Sequence, residues 1–225
     1  MQLDVMTITD GLWQVGGDVV TTPEDGAIYL LRHGAEYALV DAGCGRNHKQ
    51  VVSNITTCAG PKPKIAWLFL THCHWDHTGG AEKLAGKYQA KVVAHVKDAG
   101  FLEEGDDQVT AAAWYGARME PLRLDHAITG AKETFTVGDG KVTAHHMPGH
   151  SPGSLVYTTI LDGEKIMFGQ DVHGPISPLL LSDEADYRKS LKRMADMRAD
   201  ILCEGHFGVI EGKAKVEQFI RQYIK

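Results

Sequence analysis

Short apolar stretches separated by turns rich in glycine, proline and aspartate recur along the whole chain. Runs that are continuously apolar or that alternate apolar and polar residues favour strands, while longer runs with apolar positions three or four apart favour helices. The pattern predicts strands over residues 3–8, 12–15, 27–32, 37–40, 65–70, 91–95, 133–137, 142–146, 154–160, 165–168 and 201–203. It predicts helices over residues 47–58, 81–88, 186–197 and 216–224.

The order of these elements indicates the fold class. Strands dominate the first part of each half of the chain and helices are interspersed, which is typical of an α+β protein with two sheets packed face to face and helices outside. We expect one domain over residues 1–225. Residues 96–125 are less regular, with an acidic stretch followed by the apolar cluster 111–115. They form either a surface insertion with a short helix, or a lid over a site or a dimer contact.

Composition excludes some function classes. The chain is 43% hydrophobic and 23% charged with a net charge of −6, and it shows no basic stripe, so we expect no nucleic-acid partner. There is no secretory signal and no apolar run long enough for a membrane span, so we expect a cytoplasmic protein without a membrane partner. The four cysteines form no CxxC pair, which favours reduced thiols. The 12 histidines are unusually many for this length.

Three of these histidines fall in one short motif, Thr-His-Cys-His-Trp-Asp-His-Thr-Gly-Gly, at residues 71–80. His72 and His74 are two residues apart, so both rings point to the same side of an extended segment. Asp76 and His77 follow where the chain turns into a helix. Imidazole and carboxylate together suit zinc, iron or manganese better than calcium or magnesium. The motif therefore predicts a transition-metal site.

Further ligand-type residues follow later strands. His150, Asp171 and His206 each stand just past the carboxyl end of a predicted strand. One edge of the sheets can therefore collect all of them beside the first motif. Taken singly, His150 or His206 is more often a structural residue, but together with Asp171 and the first motif they favour a metal site.

Seven ligands are too many for one tetrahedral ion, so we expect two divalent ions, of which zinc is favoured and iron or manganese are open. One division gives the first ion His72, His74 and His150, the second ion Asp76, His77 and His206, and makes Asp171 the bridge between them. Two ions roughly 3.5–4 Å apart lower the pKa of a shared water to near neutrality and stabilise the charge formed after its attack. Asp76 and Asp171 are then the candidate catalytic residues, with Asp76 also orienting the hydroxide.

The motif His-Cys-His-Trp-Asp-His-Thr-Gly-Gly, with the later His150, Asp171 and His206, resembles the metallo-β-lactamase superfamily along almost the whole chain. The early Leu-Val-Asp-Ala-Gly at residues 39–43 resembles a recurring strand end of the same family. The resemblance implies a four-layer αββα sandwich with the dinuclear site at its edge. It also implies that Asp41 holds a ligand histidine in place.

Within the superfamily, Trp75, residues 79–84 and an Asp171 that follows Phe168-Gly169 resemble the glyoxalase II branch most closely. That branch implies a hydrolase of thioesters, lactones or similar esters acting on a small molecule. Glyoxalase II proteins carry a further helical domain that binds glutathione, whereas residues 207–225 suffice for one helix. We therefore expect a glyoxalase II-like hydrolase.

Three alternatives remain open. Quorum-signal lactonases share all seven ligands but often carry a tyrosine soon after the bridging aspartate, where this chain has Val172-His173-Gly174. A persulfide dioxygenase-like enzyme would use one iron held by two histidines and one aspartate, and a non-catalytic relative would have lost ligands.

His173 is either a substrate contact or an exposed loop residue. Apolar residues 111–115 make a homodimer plausible.

Overall fold

Two β-sheets facing each other form the centre of the protein in the computed structural model, which describes residues 5–224. The first sheet has seven strands in sequence order: β1 Met6–Thr9, β2 Leu12–Gly16, β3 Ile28–His33, β4 Glu36–Val40, β5 Ile65–Phe69, β6 Lys91–His95 and β7 His126–Ile128. Its strands are antiparallel as far as β4 and parallel from β4 to β7.

The second sheet has six strands: β8 Lys132–Val137, β9 Gly140–His146, β10 Leu155–Leu161, β11 Glu164–Phe168, β12 Ile201–Cys203 and β13 Val209–Glu211. They lie in the reverse of their sequence order, from β13 to β8, and only β11 and β12 pair in parallel. Strands β9, β11 and β12 therefore end at the same edge of this sheet.

Helices cover the outer faces of both sheets. Their bounds are α1 His48–Ala59, α2 Trp75–Thr78, α3 Ala81–Tyr88, α4 Val96–Glu104, α5 Glu184–Asp196 and α6 Lys213–Arg221. Helices α1, α3 and α4 pack on the first sheet, whereas α5 and α6 pack on each other and on the second sheet. Buried aromatic rings fill the space between the sheets, where Phe69 lies 5.2 Å from Phe135 and 5.0 Å from Tyr157 between ring centroids. The predicted αββα sandwich is therefore confirmed.

The observed elements differ from the predicted ones at a few places. The structure adds strands β7 and β13, which have only three residues each, too few for a hydrophobic period. The predicted strand 3–8 lies partly outside the described residues, and its described part belongs to β1. Segment 96–125 holds helix α4 and a single 3-10 turn, Ala112–Tyr115. In the described part of the chain, no helix is long and apolar enough to cross a membrane.

Backbone hydrogen bonds join the two sheets at the edge where the ligand-bearing loops lie. Leu155 donates its N–H to the carbonyl oxygen of Thr71 at 2.6 Å, and Ala27 donates to that of Gly205 at 2.7 Å. Each bond connects a segment of the first sheet to one of the second. Because buried backbone groups need partners, these bonds fix how the loops of both sheets meet.

Candidate metal centre

The carboxyl ends of four strands bring the candidate ligands together. The loop after β5 carries His72 and His74, and the short helix α2 carries Asp76 and His77. The loops after β9, β11 and β12 supply the remaining ligand-type residues, which are His150, Asp171 and His206. Six of the seven residues are at most 5% exposed, and the His206 side chain is 28% exposed.

The seven side chains form two groups that share one residue. The three-histidine group consists of His72, His74 and His150 with Asp171, and the mixed group consists of Asp76, His77 and His206 with Asp171. Within each group, one potential ligand atom per residue lies within 4.8 Å of all the others. The structure therefore brings together every residue that the sequence predicted as a ligand, in the predicted division.

Asp171 contacts both groups. Its Oδ1 lies 3.2 Å from His77 Nε2, and its Oδ2 lies 3.4 Å from His206 Nε2 and 3.5 Å from His150 Nε2. The carboxylate stands between the groups and faces histidines of each. This is the geometry that a bridging ligand requires.

A chain of hydrogen bonds from Asp41 sets the tautomers of two histidines. Asp41 Oδ2 lies 2.8 Å from His77 Nδ1 and accepts the hydroxyl proton of Thr71 at 2.8 Å. Because the Thr71 hydroxyl uses its only hydrogen in the bond to Asp41, its oxygen acts as the acceptor for His72 Nδ1 at 2.9 Å. Since Nδ1 carries the proton in both rings, Nε2 of each neutral ring keeps a free lone pair. The prediction that Asp41 supports a ligand histidine agrees with these contacts, and Thr71 joins it in that role.

His150 is oriented in the same way by a backbone group. Its Nδ1 lies 2.9 Å from the carbonyl oxygen of Pro175, which can only accept, so Nδ1 donates and Nε2 keeps its lone pair. That Nε2 lies 3.3 Å from Nε2 of His72. His74 Nε2 is buried and has no hydrogen-bond partner among residues 5–224. Such a concentration of buried lone pairs is unfavourable unless a cation is bound among them, so these residues fit a metal ion.

Burial and mutual contact control the charge of the three-histidine group. Burial is the largest effect, and it lowers the pKa of His74 to about 3, that of His72 well below its ordinary value, and that of His150 to a smaller extent. Neighbouring histidines lower these pKa values further. All three rings are therefore neutral near pH 7, the form that binds metal.

The mixed group behaves differently because it contains carboxylates. Burial would lower the pKa of His206, but its hydrogen bonds to Asp171 and Asp76 raise that pKa to about 10. Burial likewise opposes a charge on His77, yet Asp171, Asp76 and Asp41 hold the His77 pKa well above its ordinary value. Without a metal, both rings hold protons, and a bound cation takes the place of those protons.

Glycines allow the loops to approach the site closely. A Cβ on Gly205 would lie 2.1 Å from Asp171 Oδ1, and a Cβ on Gly26 would lie 2.5 Å from the ring of His77. Both distances are shorter than real Cβ contacts. The backbone at these two positions therefore forms part of the wall around the ligand side chains.

A cleft of about 150 Å³ opens onto the ligand atoms. It is lined by site residues and by residues of two flanking segments: His74, Asp76, Ala111, Trp114, Tyr115, Asp171, His173, Pro175, Leu180 and His206. Burial, followed by the neighbouring Asp76 carboxylate, raises the Tyr115 pKa. Segment 96–125 thus supplies one wall of the cleft. His173 lines the cleft as well, with its Nδ1 3.0 Å from Glu204.

His95 and Cys73 are close in sequence to ligand-type residues or strand ends but belong to neither ligand group. His95 stacks on His146 with ring centroids 3.8 Å apart, and its Nδ1 accepts from Lys97 N at the start of α4. The Cys73 side chain is fully buried, and the Cys73 backbone N–H donates to Asp98 Oδ2 at 3.0 Å. His95 thus caps the start of helix α4 and contributes no ligand atom to either group.

Several residues that support or line the site were not predicted from the sequence. Asp98 and Glu204 are fully buried carboxylates that accept hydrogen bonds from the ligand-bearing loops. Thr71 orients His72, and Tyr115 faces Asp76. The proximity of Thr71 and Glu204 to ligands in the sequence is a weak signal, whereas Asp98 and Tyr115 reach the site only through the fold.

This fold and site define a protein whose two packed sheets carry clusters of histidine and aspartate able to hold metal ions at one edge. A family model described as the metallo-beta-lactamase superfamily matches residues 21–206. The chain belongs to the metallo-beta-lactamase superfamily.

Proteins named as thioesterases are among the relatives that this chain resembles. The chain is 28% identical to an acyl-coenzyme A thioesterase of Gallus gallus over 227 residues, covering 88% of this chain and 77% of that protein. It is 29% identical to the atrochrysone carboxyl ACP thioesterase of Aspergillus fumigatus, covering 85% and 54%. It is 31% identical to the hydroxyacylglutathione hydrolase of Anaeromyxobacter dehalogenans, covering 59% and 42%. The chain thus spans about half or less of the length of the last two.

Solved structures share the fold. A metallo-beta-lactamase of Cronobacter sakazakii superposes with a TM-score of 0.83 at 21% identity, covering 99% of this chain and 92% of that one. A subclass B3 metallo-beta-lactamase of Bradyrhizobium japonicum superposes with a TM-score of 0.75 at 24% identity, covering 100% and 83%. At this identity the likeness shows the fold alone.

Proposed function

We propose that this protein is a dinuclear metal-dependent hydrolase that cleaves acyl thioesters or closely related esters. The position of the Asp171 carboxylate carries the proposal, because its two oxygens face histidines of both ligand groups. A carboxylate between two groups of imidazoles supports two ions that share one bridging ligand. Zinc is the favoured ion, and iron or manganese would accept the same donors.

The bound ions would supply an activated water and would stabilise negative charge on the carbonyl oxygen under attack. The chain's own residues hold the reacting groups. Asp76 lies at the cleft and can accept a hydrogen bond that orients the water. Tyr115, whose hydroxyl interacts with Asp76, and His173 line the cleft and offer polar groups to a bound substrate. Water adds to the carbonyl carbon, the carbon–sulfur bond breaks, and the products are a carboxylic acid and a thiol.

The rim of the cleft suits an apolar acyl group. The cleft has room for the scissile group but not for a whole drug-sized ligand. Around it, exposed apolar side chains lie on or beside the lining segments: Trp114, Ile176, Leu179, Leu181 and Phe207. The Phe207 ring lies 4.9 Å from that of His173. No lysine or arginine lines the cleft among the described residues, so apolar contact, which is favourable in water, is the recognition available there.

The names of two relatives support the same substrate class. The Gallus gallus protein is named an acyl-coenzyme A thioesterase and the Aspergillus fumigatus protein an ACP thioesterase. Both names describe cleavage of an acyl thioester. The hydroxyacylglutathione hydrolase is a thioesterase by its name as well, so a glyoxalase II-like activity stays within the proposed class.

The rival functions predict different substrates or different metal contents. A lactonase would open a cyclic ester with the same water, and a persulfide dioxygenase-like enzyme would need one iron and oxygen. The mixed group gives the chain a complete second set of donors, which favours the dinuclear hydrolase over the iron enzyme. The proposed partner is a small molecule. A homodimer and a cytoplasmic location remain expectations from the sequence.

The direct test is hydrolysis of a matched substrate series by the purified protein with its metal. N-acetylcysteamine thioesters of acetate, hexanoate and decanoate share one thiol and differ only in the acyl chain, and an acyl-homoserine lactone and a persulfide represent the rivals. We expect thiol release from the thioesters and higher kcat/KM for the longer chains. Absence of thiol release from all thioesters, with turnover of the lactone or oxygen uptake with the persulfide, would contradict the proposal.

A matched pair of variants tests the rim. Leu179→Ser removes an exposed apolar side chain beside the cleft, and Ile160→Ser removes an equally exposed one on β10, which does not line the cleft. The Leu179→Ser protein should lose part of its preference for decanoyl over acetyl thioester, whereas the Ile160→Ser protein should keep it. An equal effect of both variants would show that the rim does not bind the acyl chain.

A further inference from the structure

Asp98, on helix α4, connects the loops that carry the three-histidine group. Its Oδ2 accepts from the Cys73 N–H at 3.0 Å, between His72 and His74, and from the Ser151 hydroxyl at 2.6 Å. Its Oδ1 accepts from the Gly153 N–H at 2.6 Å. Ser151 and Gly153 belong to the turn that begins with His150. One carboxylate thus holds both loops from which this group's histidines come.

Glu204 does the same on the other side of the site. Its Oε1 accepts from the Val172 N–H at 2.8 Å and lies 3.0 Å from His173 Nδ1. Its Oε2 accepts from the N–H groups of His206 and Phe207 at 2.7 and 2.8 Å. These contacts join the loop of Asp171 to the loop of His206. In the described part of the chain, none of these Glu204 side-chain hydrogen bonds reaches the loops that Asp98 holds.

The surroundings make both carboxylates costly to replace. Each is fully buried, and a buried charge is tolerated only when hydrogen bonds satisfy it. The donors around them are mostly backbone N–H groups, whose positions follow directly from the loop conformation. A carboxylate that accepts several such bonds therefore fixes the loops with respect to each other.

We propose that each ligand group has its own positioning carboxylate: Asp98 sets the affinity of the three-histidine group for its ion, and Glu204 sets that of the mixed group. Neither residue touches a ligand atom. Each acts through the backbone of the ligand-bearing loops. The inference rests on the proposed function, because it requires that both groups bind metal.

The test measures the metal affinity of each ligand group separately. His206→Ala leaves the three-histidine group complete, and His150→Ala leaves the mixed group complete. The dissociation constant for cobalt(II) is measured in each background by competition with a chromophoric chelator, and the cobalt absorption spectrum reports the ligand geometry. Asp98→Asn and Glu204→Gln, which keep size and shape, are then added to each background.

In the His206→Ala background, Asp98→Asn should weaken cobalt binding about 10–100-fold, which is the usual cost of losing a residue that supports a ligand. In the His150→Ala background, the same substitution should weaken cobalt binding by less than about threefold. Glu204→Gln should show the reverse pattern. Asp125→Asn is the control, because Asp125 accepts from the Val92 N–H at 2.9 Å near the start of β6, away from the ligand-bearing loops. It should leave both constants unchanged.

The outcomes distinguish a failure of the proposed function from a failure of the positioning roles of Asp98 and Glu204. If neither single-group protein binds cobalt, the proposed function fails. If both bind cobalt but each carboxylate variant weakens the two groups equally, the assignment to groups is overturned and the carboxylates only stabilise the fold. Should Asp98→Asn not fold, Ser151→Ala removes one of its hydrogen bonds and should still weaken only the three-histidine group. Glu204→Asp serves the same purpose for the mixed group.

Discussion

The Oδ2 atom of Asp41 lies 2.8 Å from Nδ1 of His77, a contact that fixes the tautomer of a histidine in the mixed group. Through Thr71 the same oxygen also orients His72 in the three-histidine group. One carboxylate at the end of β4 therefore supports both halves of the candidate site. A single aspartate far from the ligands in the sequence therefore contacts one histidine of each group, directly or through Thr71.

Replacing Asp41 should weaken metal binding. Asp41 has a backbone φ of 61°, which asparagine tolerates better than most residues, so Asp41→Asn isolates the loss of the charge. We expect metal affinity to fall about 10–100-fold, measured by competition with a chelator. Thr71→Val tests the hydrogen bonds to His72 separately from the contact between Asp41 and His77, since it removes only the connection to His72. Unchanged affinity in both variants would contradict the role of this hydrogen-bond chain.

Removing the shared ligand should affect both ions together. Asp171→Ala deletes the only carboxylate that faces histidines of both groups among the described residues. We expect metal content and hydrolytic activity to be lost together, with elemental analysis and thiol release as the two measurements. A variant that kept full activity would rule out a bridging role for Asp171.

The cysteine between two candidate ligands should not be a ligand itself. The Cys73 side chain is fully buried and belongs to neither ligand group, whereas Asp98 interacts with its thiol. Burial raises the pKa of its thiol well above the ordinary value, so it does not supply a thiolate. Cys73→Ser should leave metal content unchanged by elemental analysis. Loss of metal would mean that the loop geometry is wrong.

The stability of the metal-free protein should depend on pH through His95. Burial, then His146 and Lys97, lowers the pKa of His95 from 6.5 to about 4. Between these values the unfolded chain binds more protons than the folded one, so the free energy of unfolding falls as pH decreases from 6.5 to about 4. Other histidines with lowered pKa values, such as His145, act in the same direction.

His95→Asn tests this pH dependence, because asparagine can still accept the N-cap hydrogen bond of α4 but does not titrate. Urea unfolding at pH 7 and at pH 5, with chelator present, should show a smaller loss of stability in the variant than in the unaltered protein. Equal losses in the two proteins would exclude His95 as a source of the pH dependence.

The sequence predicted the fold and the ligand-type residues well because both leave local signals. The apolar run before His72 and the closely spaced histidines after it reveal a strand end that carries ligands, and the αββα sandwich is confirmed. The ligand roles stay predictions, although all seven side chains come together in the expected division.

The supporting residues could not be predicted in the same way. Asp98 and Glu204 act by accepting hydrogen bonds from backbone N–H groups, which every residue except proline carries, so their partners have no sequence signature. Asp98 also lies on helix α4, which the hydrophobic periodicity did not reveal. Tyr115 reaches the cleft only because the chain folds back after α4.

The number of metal ions per chain tests the central claim most directly. The protein should be purified without added metal or chelator, and its metal content should be measured by elemental analysis alongside an accurate protein concentration. The dinuclear hydrolase predicts close to two divalent ions per chain, zinc above all. A single iron per chain, with no second ion taken up when metal is added, would contradict the account and favour the dioxygenase.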